Sequence, residues 1–296
     1  MPTTAPQQLD IFLHSHDVML RNDVLGALER REAVDARARL RVLASEMPAD
    51  PNLPALEILT LALETDDAAL LADHEIIAQL VGFIANQIEP AARQLMGQTA
   101  GEAWVRPTWR DMAARCRVAA FQAHSADCHA AALWLRAKAW NEAAAATQTI
   151  ESWRRIPAPL VWMTEARCRL GEPDQFWPLL AELAWLSPSR LDALLRRLED
   201  PRLEALYKQF GAAFDGTGEV SDLAWFPAWV AVEKPMLATH LAHAQAGQRS
   251  SPEQGMRLVL ELLRLERHGR HQELVERRKS LRDLHPGFFA QYMRTR

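Results

Sequence analysis

The chain has 296 residues, 49% hydrophobic and 24% charged, with a formal net charge of −4. These values exclude disordered, collagen-like and disulfide-stapled proteins, and they give no overall attraction to nucleic acid or to an anionic membrane. Alanine is the commonest residue and 12 glycines stand against 17 prolines, so the expected class is all-α, with short proline-marked turns between helices.

Residues 1–14 read as a tail or the start of a first helix. No basic residue precedes an apolar stretch there, and no run approaches the roughly 18 to 20 apolar residues that cross a bilayer, so the expectation is a cytoplasmic chain without a membrane span. The string Gln8-Leu9-Asp10-Ile11-Phe12 admits two readings. Leu9 and Phe12 can enter an apolar pocket while the Gln8 amide bonds its rim; equally, Leu9, Phe12 and Leu13 form the i, i+3, i+4 stripe of a packed helix. The string resembles the pentapeptide by which bacterial replication and repair proteins hold the DNA sliding clamp, with Ile11 in place of leucine. That resemblance implies the clamp as a partner and a DNA-metabolism adaptor as the function.

Residues 15–103 form an N-terminal helical part. Leu20, Val24 and Leu28 repeat at intervals of four, and Leu56, Leu59, Leu61 and Leu63 dominate a further stretch. Asp66 and Asp67 read as helix caps ahead of Ala68-Ala69-Leu70-Leu71. His74-Glu75 opens like a zinc-protease string, but Ala78 stands where the second histidine ligand belongs. Residues 104–210 form the tryptophan-rich middle. All ten tryptophans lie between Trp104 and Trp229, and most are expected to fill gaps between stacked helices, each burying roughly 200 Å². Residues 211–222, with Gly216-Thr217-Gly218, read as a linker, and residues 223–296 as a basic helical end. From Gly255 onward the charge is +5, leaving −9 on the first 254 residues. Glu261, Glu273 and Glu276 alternate with Arg257, Arg264, Arg277 and Arg278 at helical spacing, the pattern of a solvated, ion-paired face. Ser251-Pro252-Glu253-Gln254 has the form of a capping box, and Ser187-Pro188 and Asp200-Pro201 offer the same cap followed by proline.

Helix, glycine turn, helix and proline recur: residues 160–188 turn at Gly171 and residues 258–286 at Gly269, with 17 positions from glycine to proline in each. Residues 126–157 place Trp140 at the turn, and a weaker unit runs from Asp17 through Ala36 to Pro48. These units resemble tetratricopeptide repeats. Gly171 and Gly269 match the turn position, Ala36 and Ala145 the small position, and Pro48, Pro157, Pro188 and Pro286 the terminator. Leu160 and Leu258 replace the family's aromatics, Phe176 and Leu274 occupy the small position, and the period is near 31. The resemblance implies an irregular α-solenoid of helical hairpins, a scaffold whose first helices line a groove for a protein or peptide. In that alignment the groove residues are Asp127, Trp134, Lys138, Glu165 and Arg169.

No catalytic, cofactor or metal residue emerges. His240 and His243 share a helix face without a third ligand, Cys116, Cys128 and Cys168 lack zinc-finger spacing, and no phosphate loop or nucleophile elbow is present. The expectation is a non-catalytic scaffold that does not bind nucleic acid directly, with a clamp-docking adaptor and a metal-dependent enzyme as the other readings.

Overall fold

A computed structural model describes the backbone of residues 5–65, 69–247 and 249–296, and the side chains among them from His16 onward. The described residues form seventeen α-helices and no strand, in two compact units that meet at Ala139/Trp140. Among them no helix is long and apolar enough to cross a membrane. Asp66 and Asp67 lie outside the described residues; Asp73 caps the helix that follows, accepting from the N–H groups of Glu75 and Ile76.

The first unit begins with the hairpin α1 (Ala5–Glu29) and α2 (Ala33–Glu46), followed by α3 (Leu53–Glu64). Next, α4 (His74–Phe83), a π turn (Ile84–Ile88) and α5 (Glu89–Met96) form one continuous helical run. Pro90 explains the π turn: it has no N–H to donate, and its ring would strike the carbonyl of Asn86, so the backbone widens there. α6 (Gln98–Arg115) packs back on α5 so closely that a Cβ on Gly101 would stand 2.7 Å from the Ala92 backbone. A 3₁₀ stretch (Ala123–Cys128) and α7 (Ala130–Arg136) complete this unit.

The second unit runs from α8 (Trp140–Gln148) through α9 (Pro157–Arg169), α10 (Pro173–Leu186), α11 (Pro188–Leu198) and α12 (Pro201–Ala213). It continues with α13 (Phe226–Glu233), α14 (Ala238–Leu241), α15 (Ser251–His268), α16 (His271–Leu284) and α17 (Pro286–Arg294). Residues Ala158–Ala166 of α9, Phe176–Ala184 of α10 and Phe226–Val232 of α13 are buried without interruption, the mark of helices enclosed on every side. The Gly211–Asp222 segment lies inside this unit. Phe214 stacks on Phe210 at 4.8 Å, and Asp222 closes the glycine turn by accepting from the Gly218 N–H at 2.8 Å.

Four helix ends share one closure. Arg31, Lys138, Gly171 and Gly269 have left-handed backbones, with φ of 58°, 54°, 71° and 66°. In each the next residue returns its N–H to a carbonyl five residues back: Glu32 to Ala27, Ala139 to Trp134, Glu172 to Arg167 and Arg270 to Leu265. This is the Schellman closure of a helix end, for which glycine is the unstrained residue. At Arg31 and Lys138 the same closure carries a strain of about 1 kcal/mol relative to glycine. Lys138, not Trp140, is therefore the left-handed residue that closes α7; Trp140 is the first residue of α8. The small position shifts as well: Ala36 is buried, while Ala145 is exposed and Ala144 beside it is packed.

The residues before Pro48, Pro188, Pro235 and Pro286 stop the preceding helix, because the proline ring drives each into extended backbone, with ψ between 64° and 97°. Asp200 caps α12 as its sequence implies, accepting from Arg202 and Leu203. The capping box at Ser251 does not form. Glu253 is folded inward instead and accepts the N–H groups of Gly247 and Arg249 at 3.0 and 2.9 Å, and Gln254 donates to the Arg249 carbonyl.

Six of the ten tryptophans, namely Trp104, Trp109, Trp162, Trp177, Trp225 and Trp229, are buried. Guanidinium groups cover others: Arg169 lies over Trp140, Arg154 over Trp153 and Arg257 over Trp185, at 5.3 to 5.8 Å from the ring centres. At the basic end, Arg277 pairs with Glu261 at 3.0 Å, and Arg278 and Arg296 pair with Glu266.

Candidate functional site

The residues aligned as a groove divide between the units. In the first, Asp127 is exposed at the end of the 3₁₀ stretch, Trp134 is half-buried against the core, and Lys138 is exposed 3.9 Å from Glu102. In the second, Glu165 is 6% exposed and its carboxylate is held by Arg197 of α11 at 2.5 Å. Arg169 donates to the Arg197 carbonyl at 3.2 Å and lies over Trp140. Glu165 thus faces packed interior, because α11 folds over the side of α9 that an open solenoid would leave as a groove.

The Gln8–Phe12 string occupies early turns of α1, and its side chains lie outside the described residues. Glu46, the last residue of α2, stands opposite His16 at 2.7 Å. The eleven residues Ala5–Ser15, roughly 16 Å of helix at 1.5 Å per residue, therefore extend past the end of α2.

A groove of about 600 Å³ lies in the first unit, between the end of α3, the α4 to α5 run and the end of α6. Leu63, Leu70, Leu80, Phe83, Ile84, Ile88 and Met112 line it, and Arg31, Arg115 and Arg117 stand at its edge with Asp111. The π turn supplies Ile84 and Ile88 from a widened backbone, a feature common at functional positions. Phe83 is 39% exposed and Leu70 49%, so apolar surface reaches the rim. Arg31 donates to the Trp104 carbonyl at 2.9 Å and stacks on that ring; its burial there lowers the guanidinium pKa. Arg115 donates to the Ala69 carbonyl and its own carbonyl accepts from Leu71, tying the segment before α4 to the end of α6. Sequence reasoning passed over this groove. Its parts come from three separated stretches, and the exposed Phe83 is the one local signal.

The histidines and cysteines are placed without a metal cluster: among the described residues no three His, Cys, Asp or Glu side chains group to hold an ion. His240 bonds Asp174 at 2.6 Å. His129 is buried, its Nδ1 accepts from the Ala131 N–H at 3.2 Å to cap α7, and burial, reinforced by nearby His74, pushes its pKa down to about 4. Burial pushes the thiols of Cys116 and Cys168 up to about 11, far from the thiolate range of reactive cysteines.

No family model, curated protein or solved structure matches this chain.

Proposed function

We propose that the protein is a non-catalytic interaction scaffold of the helical-hairpin type, and that its first unit takes an amphipathic helix with acidic flanks into the groove edged by Arg31, Arg115 and Arg117. The carrying observation is the groove itself, in which Leu63, Leu70, Phe83 and Met112 stand beside Arg31, Arg115 and Arg117. Leu70 and Phe83, two of the large apolar side chains that stand exposed among the described residues, line it. The matching closures of the α1–α2, α9–α10 and α15–α16 hairpins support the repeat resemblance, and the packed side of α9 directs the partner to this groove instead of to Glu165.

Fluorescence anisotropy tests the reading with a labelled helical peptide carrying Leu at i, i+3, i+4 and i+7 and flanking Glu, against its Lys counterpart. The Glu peptide binds in the micromolar range and more weakly as salt rises, the Lys peptide binds poorly, and Phe83→Asp weakens the Glu peptide by about tenfold or more. Equal binding of the two peptides, or no effect of Phe83→Asp, rejects it.

The reach of Ala5–Ser15 past α2 favours a second reading, in which Gln8–Phe12 docks on the bacterial sliding clamp. Clamp binding by the intact chain that is lost in Leu9→Ala, Phe12→Ala supports it, and binding that survives in the variant removes it.

A further inference from the structure

A pattern of charge runs along α6 in the first-unit groove. Thr108, Asp111, Met112 and Arg115, at i, i+3, i+4 and i+7, place one face of α6 along it. Arg31 stands at one end of this face, where its Nη1 donates to the Trp104 carbonyl at 2.9 Å. Arg117 stands at the other end, in the 3₁₀ turn Cys116–Val118 that follows α6. Trp104 precedes Arg115 by eleven residues, roughly 16 Å of helix at 1.5 Å per residue.

Neither end cation is neutralised within the chain. Arg31 and Arg117 make no ion pair among the described residues, although two carboxylates lie close to Arg31 in sequence. Arg30 takes both, pairing with Glu32 at 2.8 Å and with Asp35 at 3.2 Å. Asp111, exposed between the two ends, makes no ion pair among the described residues either. Burial lowers the Arg31 pKa and the charge of Asp111 offsets this only in part, as expected of a guanidinium with no carboxylate in contact. The order along α6 is therefore cation, carboxylate, cation.

The backbone at Arg31 points the same way. Its φ of 58° serves the closure that Gly171 and Gly269 make without strain. Glycine would relieve that strain and lose the side chain that reaches from the α1–α2 turn to α6. Strain held where a side chain lines a groove marks a residue in use.

We propose that Arg31 and Arg117 read the two ends of one partner helix. The groove then takes an amphipathic helix that is acidic at both ends, about eleven residues apart, and rejects one that is acidic at its middle, opposite Asp111. This rests on the groove reading above and adds a charge register to it.

Fluorescence anisotropy on the intact chain tests it with four labelled helical peptides that share one apolar stripe. They carry Glu pairs at both ends, at the N-terminal end, at the C-terminal end or at the middle, with Gln filling the other positions. The parent is expected to bind the two-ended peptide about tenfold more tightly than the middle-Glu peptide. Arg31→Gln, whose amide can still donate to the Trp104 carbonyl, weakens one single-ended peptide about fivefold and leaves the other within about twofold; Arg117→Gln does the reverse. Comparing each peptide with itself across the variants cancels the preference of a helix N-terminus for Glu. Both losses shrink as salt rises. Asp111→Asn, at an exposed position, tightens the middle-Glu peptide about threefold or more. Should Arg31→Gln not fold, Arg117→Gln and Asp111→Asn decide the matter. The register is overturned, with the groove reading intact, if the parent binds the two-ended and middle-Glu peptides equally, if both Gln variants weaken the same single-ended peptide, or if Asp111→Asn has no effect. A parent that binds none of the four peptides rejects the groove reading and the register together.

Discussion

Replacing Trp109 by alanine is expected to lower the stability of the first unit by about 4 kcal/mol, near the top of the range for single substitutions. Its indole is 1% exposed, its Nε1 donates to Glu89 at 2.8 Å, and the Arg136 guanidinium lies 4.7 Å from the ring centre. Alanine opens a cavity, takes one of the two donors from Glu89, which keeps Arg93, and removes the surface on which Arg136 rests. Trp109→Phe keeps most of the volume and loses only the N–H, so it should cost about half as much. Trp134, half-buried in the same unit, serves as the comparison, and Trp134→Ala should cost less than Trp109→Phe. Urea denaturation followed by circular dichroism measures all three through the shift in midpoint at constant slope. A Trp109→Ala loss below about 1 kcal/mol would contradict the packing described.

Acid should weaken the same unit before most carboxylates titrate. With a folded pKa of about 4 against an ordinary value near 6.5, His129 stays neutral in the folded chain while the unfolded chain takes up a proton. Stability from this group is complete above pH 6.5, falls as pH drops through the window from 6.5 to 4, and falls no further below it, with a total loss of about 3 kcal/mol. Geometry gives the same sign. The Nδ1 lone pair that accepts the Ala131 N–H is the position a proton would occupy, so protonation removes a cap as well as burying a charge. His129→Asn retains a capping acceptor without a titrating group and should flatten the denaturation midpoint between pH 6.5 and 4.5. An equal pH slope in the two proteins would show that His129 does not drive the loss.

Much of the fold was legible because it is encoded locally. Gly171 and Gly269 mark left-handed turns that glycine alone adopts without strain, and the prolines at 188 and 286 force the preceding residue out of helical backbone. The same closure at Arg31 and Lys138 was hidden, since a charged residue there endures the strain instead of advertising the turn. For that reason the repeat spacing points to Trp140 as the turn, two residues beyond the true position. The capping box at Ser251 failed in a similar way: Glu253 found the N–H groups of Gly247 and Arg249 once the segment before α15 was in place, and these are tertiary partners of an otherwise ordinary helix start.

The first-unit groove marks the limit of sequence reading. It joins Leu63, Phe83 and Met112, which no periodicity associates, with Arg31 and Arg117 at its ends. Glu165 shows the reverse case. Its helical register placed it on an open face, and α11 then covered that face and paired it with Arg197. By itself the sequence determined the all-α class, the two glycine turns and the proline stops, because each depends on the backbone preferences of one or two residues. Only the tertiary structure decided where the chain divides into units, which indoles are buried and which charges meet, because those outcomes depend on which distant helices share an interior.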